Sequence, residues 1–310
     1  MYNESVLKGF CKDCSLPIQI YDPEYVSYYI NLYDPFYLCK EKFVQFEQTI
    51  SQFDSINAFK EYKSKLKNSV IQSIKDTPAY QTLQEDDLDI KFPVKKEVRT
   101  IPYSKTINIY NQHNIGKYFL SIDLCKANYQ ALKLYNPEIV LNSNSYDELL
   151  KQFTSHSYLI QSKYIRQFIF GNLNMNRIVR LERWITQTLL EYLLVSKRFE
   201  EEDIVAFTTD ELIIKLDRFM EPANCHELAQ LIKIELGIDV HVESFKLSYL
   251  GNTFYLKEHS DTIPTFKGGS SIYFTQAVKH YLELPLEDKD LCFSYEGHIA
   301  KFLEPLKWNE

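Results

Sequence analysis

At 310 residues the chain holds one large domain or two medium ones, and its 45% hydrophobic and 25% charged content is that of a globular protein. A formal net charge of −7 gives no global attraction for nucleic acid, so any such binding must come from a local basic cleft. No apolar run nears the roughly 20 residues that span a bilayer, and the opening MYNESVLKGF lacks a signal-peptide pattern, so a cytoplasmic protein with no membrane partner is expected.

Residues 1–90 read as mainly helical. Phe43, Phe46, Ile50 and Phe53 recur at helical spacing, and Phe59, Tyr62, Leu66, Val70 and Ile74 continue the pattern. Two stretches before them, residues 17–21 and 33–38, read as extended. Phe92–Pro93 and Ile101–Pro102 break helices, so a boundary is expected near residue 105. Residues 118–122 form a strand candidate ending at Asp123. Residues 146–153 read as a helix, with Ser145 as its cap and Asp147 and Glu148 in its first turn. One or two long helices follow over 158–198. Residues 204–207 and 212–216 read as a hairpin with polar residues at the turn, and 226–236 as a helix stopped by Gly237. Residues 240–257 alternate well enough for two strands turning at Gly251–Asn252. Gly268–Gly269 marks a loop, and 273–284 a last helix. Glycine is scarce (8) beside 23 Tyr and 20 Phe, a usage that fits an AT-rich genome such as that of a virus, phage or low-GC microbe.

Several chemistries are excluded. The seven histidines show no H-E-x-x-H pattern, and neither a P-loop, a G-x-G-x-x-G fingerprint nor a G-x-S-x-G elbow is present. Cys11 and Cys14 form a C-x-x-C without a second such pair. They read either as two ligands of a zinc site or as reduced thiols, since structural zinc takes four ligands.

Three segments in order carry the remaining chemistry. Leu120-Ser-Ile-Asp123-Leu-Cys-Lys-Ala-Asn128-Tyr129 is a strand delivering an Asp and turning into a helix. Lys163-Tyr-Ile-Arg166-Gln-Phe-Ile-Phe170-Gly171 is a basic helix face passing into a glycine, with Lys163 and Arg166 at i,i+3 on one side. Val205-Ala-Phe-Thr-Thr-Asp210-Glu211-Leu212 is an acidic turn between apolar strands. Two-metal phosphoryl transfer needs rigidly held carboxylates, and two Asp residues on adjacent strand ends meet that need. Taken singly, an Asp after a strand is more often a cap or turn residue, and a Lys/Arg face is more often surface. Two basic groups flank these segments. Residues 163–198 hold Lys163, Arg166, Arg177, Arg180, Arg183, Lys197 and Arg198 against Glu182 and Glu191. Lys91, Lys95, Lys96, Arg99 and Lys105 interleave with Phe92 and Tyr103, as a strand-binding groove would.

In order, the segments resemble motifs A, B and C of the DNA polymerase I-like family (family A). Motif A there has an Asp and, five residues on, a Glu that helps exclude the ribose 2′-hydroxyl; here the positions hold Asp123 and Asn128, followed by Tyr129. Motif B has a Lys four residues before Phe-Gly; here Arg166 precedes Phe170–Gly171, and the family's later Tyr is Asn174. Motif C reads His-Asp-Glu-Leu; here it is Thr209-Asp210-Glu211-Leu212. An alignment to family B polymerases takes Thr208-Thr209-Asp210 as a variant Asp-Thr-Asp and selects the same pair, Asp123 and Asp210.

The resemblance spans about residues 117–216 and implies an α+β fold with a polymerase-like palm of antiparallel sheet and helices. Residues 1–105 would form a helical thumb or partner-binding region. Residues 106–310 would form the palm with reduced fingers and a C-terminal α/β extension. It implies a nucleotidyltransferase in which Asp123 and Asp210 bind Mg²⁺ or Mn²⁺ and Glu211 supports them. Lys163, Arg166, Phe170, Gly171, Asn128 and Tyr129 would contact the nucleotide. The implied partners are template, primer, nucleoside triphosphates and further protein subunits. The competing reading is a catalytically inactive polymerase-like subunit that binds nucleic acid or assembles a replication or transcription complex.

Overall fold

The computed structural model describes residues 2–102, 108–260 and 262–308. The expected boundary at residue 105, with Tyr103 and Lys105 beside it, lies outside the described residues.

Six helices open the chain: α1 (Glu4–Asp13), α2 (Pro23–Tyr37), α3 (Cys39–Ile50), α4 (Ile56–Lys75), α5 (Pro78–Glu85) and α6 (Leu88–Lys91). The helical spacing over 43–74 falls in α3 and α4 as expected. Residues 33–38 do not form an extended stretch, because residues 33–37 complete α2. Asp22 caps that helix by accepting from the Glu24 N–H at 2.9 Å, and Pro23 stands in its first turn. Pro35 falls in the last turn, where its missing N–H removes a single bond. Residues 17–21 are neither helix nor strand.

After a short hairpin of β1 (Glu97–Val98) and β2 (Ile101–Pro102), β3 (Tyr118–Leu124) begins the main sheet. Five helices follow: α7 (Ala127–Tyr135), α8 (Tyr146–Lys151), α9 (Ser157–Gln161), α10 (Lys163–Gly171) and α11 (Met175–Val195). Ser145 caps α8, its hydroxyl accepting from the Glu148 N–H at 3.1 Å. The span 158–198 is thus three helices, because Ser162 ends α9 and caps α10 while residues 172–174 turn the chain into α11. The remaining elements are β4 (Ile204–Phe207), β5 (Glu211–Leu216), α12 (Pro222–Leu236), β6 (Val240–Gly251), β7 (Phe254–Glu258), β8 (Thr265–Gly268), α13 (Phe274–Tyr281), β9 (Cys292–Tyr295) and β10 (His298–Lys301). Gly237 ends α12 at φ 68°.

The sheet order is β4-β5-β3-β6-β7-β8, antiparallel at every junction. Strand β8 was hidden in what reads as a glycine loop. Its Gly268 and the following Gly269 have φ +67° and +66°, and any Cβ there would collide with Thr253 and Phe254. Within this order, β3 and β4 run parallel with β5 between them, and β5 and β6 run parallel with β3 between them. That is a split β-α-β-β-α-β arrangement, and the fold is α+β.

One face of the sheet is dry. Leu120, Ile122, Leu124, Leu212 and Ile214 bury against a core that includes Leu132 of α7, Leu189 of α11 and Ile232 of α12. The same core runs without interruption from Val6 to Val278. The other face has only a small apolar cluster, in which Ile109 covers Phe119, Ile213, Phe245 and Leu247. The C-terminal segment is tied to α2: the Tyr33 and Thr275 hydroxyls bond at 2.6 Å, and the Tyr28 hydroxyl donates to Asp290 at 2.6 Å.

A buried ion pair anchors the N-terminal helices. Asp13, 2% exposed, accepts from Lys63 Nζ at 2.8 and 2.7 Å and from the Tyr158 hydroxyl at 3.1 Å. Replacing Lys63 leaves that carboxylate unpaired. Lys63→Ala is expected to cost about 3 kcal/mol in urea unfolding; a loss below about 1 kcal/mol would show that the pair does not hold these helices.

Candidate functional site

Antiparallel pairing decides where the acidic residues meet. In the ladder Asp123 stands opposite Glu211 of β5 on one side and His241 of β6 on the other. The Leu124 N–H donates to the Asp210 carbonyl at 2.8 Å, so the β4–β5 turn closes against the end of β3. That turn is held from within by Thr208, whose side-chain oxygen accepts from the Glu211 N–H at 3.1 Å. It is held from outside by α11, where the Thr186 hydroxyl donates to the Thr209 carbonyl. The first and third sequence segments are therefore one structural unit.

Side chains alternate along a strand, so Ser121 and Asp123 share a face with Glu211 and with Glu243, the partner of Ser121 on β6. This is the face opposite the main core. The Ser121 hydroxyl donates to Glu211 Oε1 at 2.6 Å and fixes that carboxylate. Glu243 binds Lys257 Nζ at 2.8 Å, with His241 Nε2 at 3.6 Å and His259 Nε2 at 3.9 Å.

The electrostatics follow from this crowding. Burial pushes the Asp123 carboxyl up to about 6, and the charges of Asp210 and Glu211 add to the rise while His241 and Lys257 oppose it. Glu182 of α11, 4% exposed, is pushed up to about 7, first by burial. A hydrogen bond from the Asn128 amide restrains that shift and Asp210 adds to it. Burial alone would raise Glu243 as well, but its bonds with His241 and Lys257 outweigh it and hold the carboxyl at about 2. Asp123 and Glu182 thus both feel the charge of Asp210, while Glu243 belongs to a separate ion-pair group with His241 and Lys257.

No family model, curated protein or solved structure matches the chain.

The expected nucleotide contacts fare unevenly. Asn128 is held by Glu182. Tyr129, 3% exposed, gives its hydroxyl to the Ser143 carbonyl at 2.7 Å and is a core residue, not a nucleotide contact. Phe170 is likewise corrected: it is fully buried, 6.0 Å from the Tyr146 ring centroid, because α10 turns its apolar stripe inward. Gly171 closes α10 in open space, with no close neighbour that demands glycine. Arg166 lies 5.9 Å from the Tyr146 ring of α8. Lys163 is exposed. The cations with the largest effect on Asp123 are neither of these but His241 and Lys257.

The basic groups are largely engaged. Arg177 donates to the Asp86 carbonyl at 3.0 Å and Arg180 pairs with Asp89, fastening the α5–α6 segment to α11. Lys91 pairs with Asp86 and Lys95 with Glu191. Cys11 and Cys14 pack at the end of α1, where burial pushes both thiols up, Cys14 to about 12.

Sequence reading missed Glu182, Glu243 and Lys257. Glu182 did carry a signal, a carboxylate inside the apolar stripe of Ile178 and Ile185. Among the described residues no group of three or more His, Cys, Asp or Glu side chains is gathered to hold a metal ion. Mg²⁺ is commonly held by one or two carboxylates, with phosphate oxygens and water completing its shell. The hard oxygen donors of Asp123 and Asp210 match that share.

A raised carboxyl destabilises the folded state once it ionises. Asp123 ordinarily titrates near 4, so the stability its protonated form provides is lost as the pH rises from about 4 to about 6. Its carboxylate makes no hydrogen bond among the described residues. Asp123→Asn is therefore expected to stabilise the metal-free chain at pH 7 by about 1–2 kcal/mol, discounted for partial solvation. The gain should vanish near pH 4 in denaturant melts; a variant less stable at pH 7 would contradict the crowded-carboxylate account.

Proposed function

We propose that the chain catalyses template-directed nucleotidyl transfer, as a small DNA or RNA polymerase. The observation that carries this reading is the meeting of Asp123 with the Asp210–Glu211 turn on the sheet face opposite the main core. A split β-α-β-β-α-β sheet hosts many functions, so the argument rests on the site and not on the topology. The order of the three segments and their likeness to polymerase motifs give the carboxylates this chemistry in preference to another.

In this reading Asp123 and Asp210 hold the ions and the Ser121 hydroxyl orients Glu211 beside them. Bound Mg²⁺ or Mn²⁺ supplies charge that activates the primer hydroxyl and offsets the developing charge on the phosphate. The primer 3′-hydroxyl would lose its proton to water as its oxygen bonds the α-phosphorus, the bond from that phosphorus to the α–β bridging oxygen would break, and pyrophosphate would leave with that oxygen. Asp123 must give up its proton before it binds an ion, so metal affinity should fall below about pH 6. In this reading Arg166 of the second segment meets the triphosphate.

A second reading has its own observation. Tyr129 and Phe170 are core residues and Asn128 is engaged by Glu182, so three expected nucleotide contacts are occupied elsewhere. That pattern favours an inactive polymerase-like subunit which binds nucleic acid or assembles a larger replication or transcription complex.

Primer extension with deoxynucleotides and with ribonucleotides, in Mg²⁺ or Mn²⁺, separates the two. Extension by the wild-type chain is expected, with Asp123→Ala and Asp210→Ala each losing at least about 10²–10³-fold. Full activity in either folded variant would remove that residue from the site. Salt-dependent binding without incorporation would select the inactive subunit.

A further inference from the structure

The sheet face opposite the main core is electrically lopsided. On its β5–β4 side, among the described residues of these two strands, the only cation is Lys215, exposed at the far end of the ladder from Asp123. On its β6–β8 side lie His241, Lys257, His259 and Lys267. Register places them: Lys257 stands opposite Leu247, and Lys267 opposite Tyr255, the neighbour of Tyr249, all in phase with His241 and Asp123.

The two lysines differ in how they are neutralised. Lys257, 4% exposed, has Glu243 at 2.8 Å and lies 4.4 Å from the Phe245 ring centroid. Lys267 is half-buried and has no ion pair or hydrogen bond among the described residues. Burial and the Lys257 ammonium both weigh against its charge, while Glu243, Glu211 and Asp123 act in its favour, which puts Lys267 within electrostatic reach of the carboxylates. Glu243 pairs with Lys257 alone, which leaves the Lys267 ammonium with N–H donors that an oxyanion can meet. Aromatic rings adjoin it: the partly exposed Tyr110 and Tyr249 lie 6.1 and 5.2 Å from the buried Tyr255, and cations beside aromatic rings are the common make-up of grooves that hold nucleic-acid strands.

We propose that Lys267, with Lys257 behind it, is a phosphate-binding wing that holds the backbone of the strand reaching Asp123 across β6–β8. The inference rests on the nucleotidyl-transfer reading and gives it a direction, since the strand must cross β6, β7 and β8 and not β5 and β4. A phosphate held there cannot be reached by Lys215, which makes that residue a control on the opposite side.

Anisotropy of a labelled primer–template duplex, titrated with the full-length chain over a range of salt, tests this. Lys267→Ala is expected to weaken binding by several-fold to about tenfold and to reduce the salt slope by about 1, with Lys267→Arg restoring both. Lys215→Ala should bind as wild type. Unchanged affinity and slope in Lys267→Ala, while the wild type binds duplex, would overturn the wing and leave the functional reading standing. A wild-type chain that binds no duplex would overturn both. Free nucleoside triphosphate is the other source of phosphate: Lys267-dependent binding of the triphosphate, with duplex affinity unchanged in Lys267→Ala, would also overturn the strand assignment.

Discussion

The rest of the site depends on the pairing of β3 with both β5 and β6. A strand at the centre of an antiparallel sheet presents each side chain to two cross-strand neighbours at once. For Asp123 those neighbours are Glu211 and His241, and one residue before Glu211 stands Asp210. A one-residue slip of β5 would turn Glu211 into the core and bring Leu212 out, so the apolar pattern Leu212–Ile214 that seals the dry face also fixes the acidic residues on the wet one. Core packing and site geometry are the same constraint seen from two sides.

That constraint has an energetic consequence. Asp123, Asp210 and Glu211 repel one another, and burial worsens the repulsion for Asp123. The surroundings relieve it only in part: Ser121 bonds Glu211, while Lys257 is drawn to Glu243. Helix α11 adds to the tension, since its Thr186 pins the turn and its buried Glu182 stands within the field of Asp210. The cations of β6–β8 lie close enough to moderate the field but leave the Asp123–Asp210 end open.

Much of this was legible in the residues because it is local. The helix face of α4, the Ser145 cap, the hairpin around Asp210 and the stop at Gly237 each rest on spacing within a few positions. Misreadings arose where distant packing overrides local preference. The aromatic run Tyr33–Phe36–Tyr37 has strand-like composition, yet Tyr33 stacks on Tyr29 and meets Phe274 of α13, and the α2 helix carries it there. Strand β8 is too short to show a period. Phe170 and Tyr129 stand at motif positions, but whether a motif residue faces a ligand or the core is set by how its helix rolls, which its neighbours in sequence do not encode. Lys257 and Lys267 join the site only through register across three strands.

The central claim is that Asp123 and Asp210 act as one divalent-cation site. Titration of Mn²⁺ into the wild-type chain with a nucleoside triphosphate present, followed by electron paramagnetic resonance, measures it directly. The account predicts bound Mn²⁺ above pH 6 that weakens by at least about tenfold in both Asp123→Ala and Asp210→Ala. Equal Mn²⁺ binding by the wild type and both folded variants would contradict it.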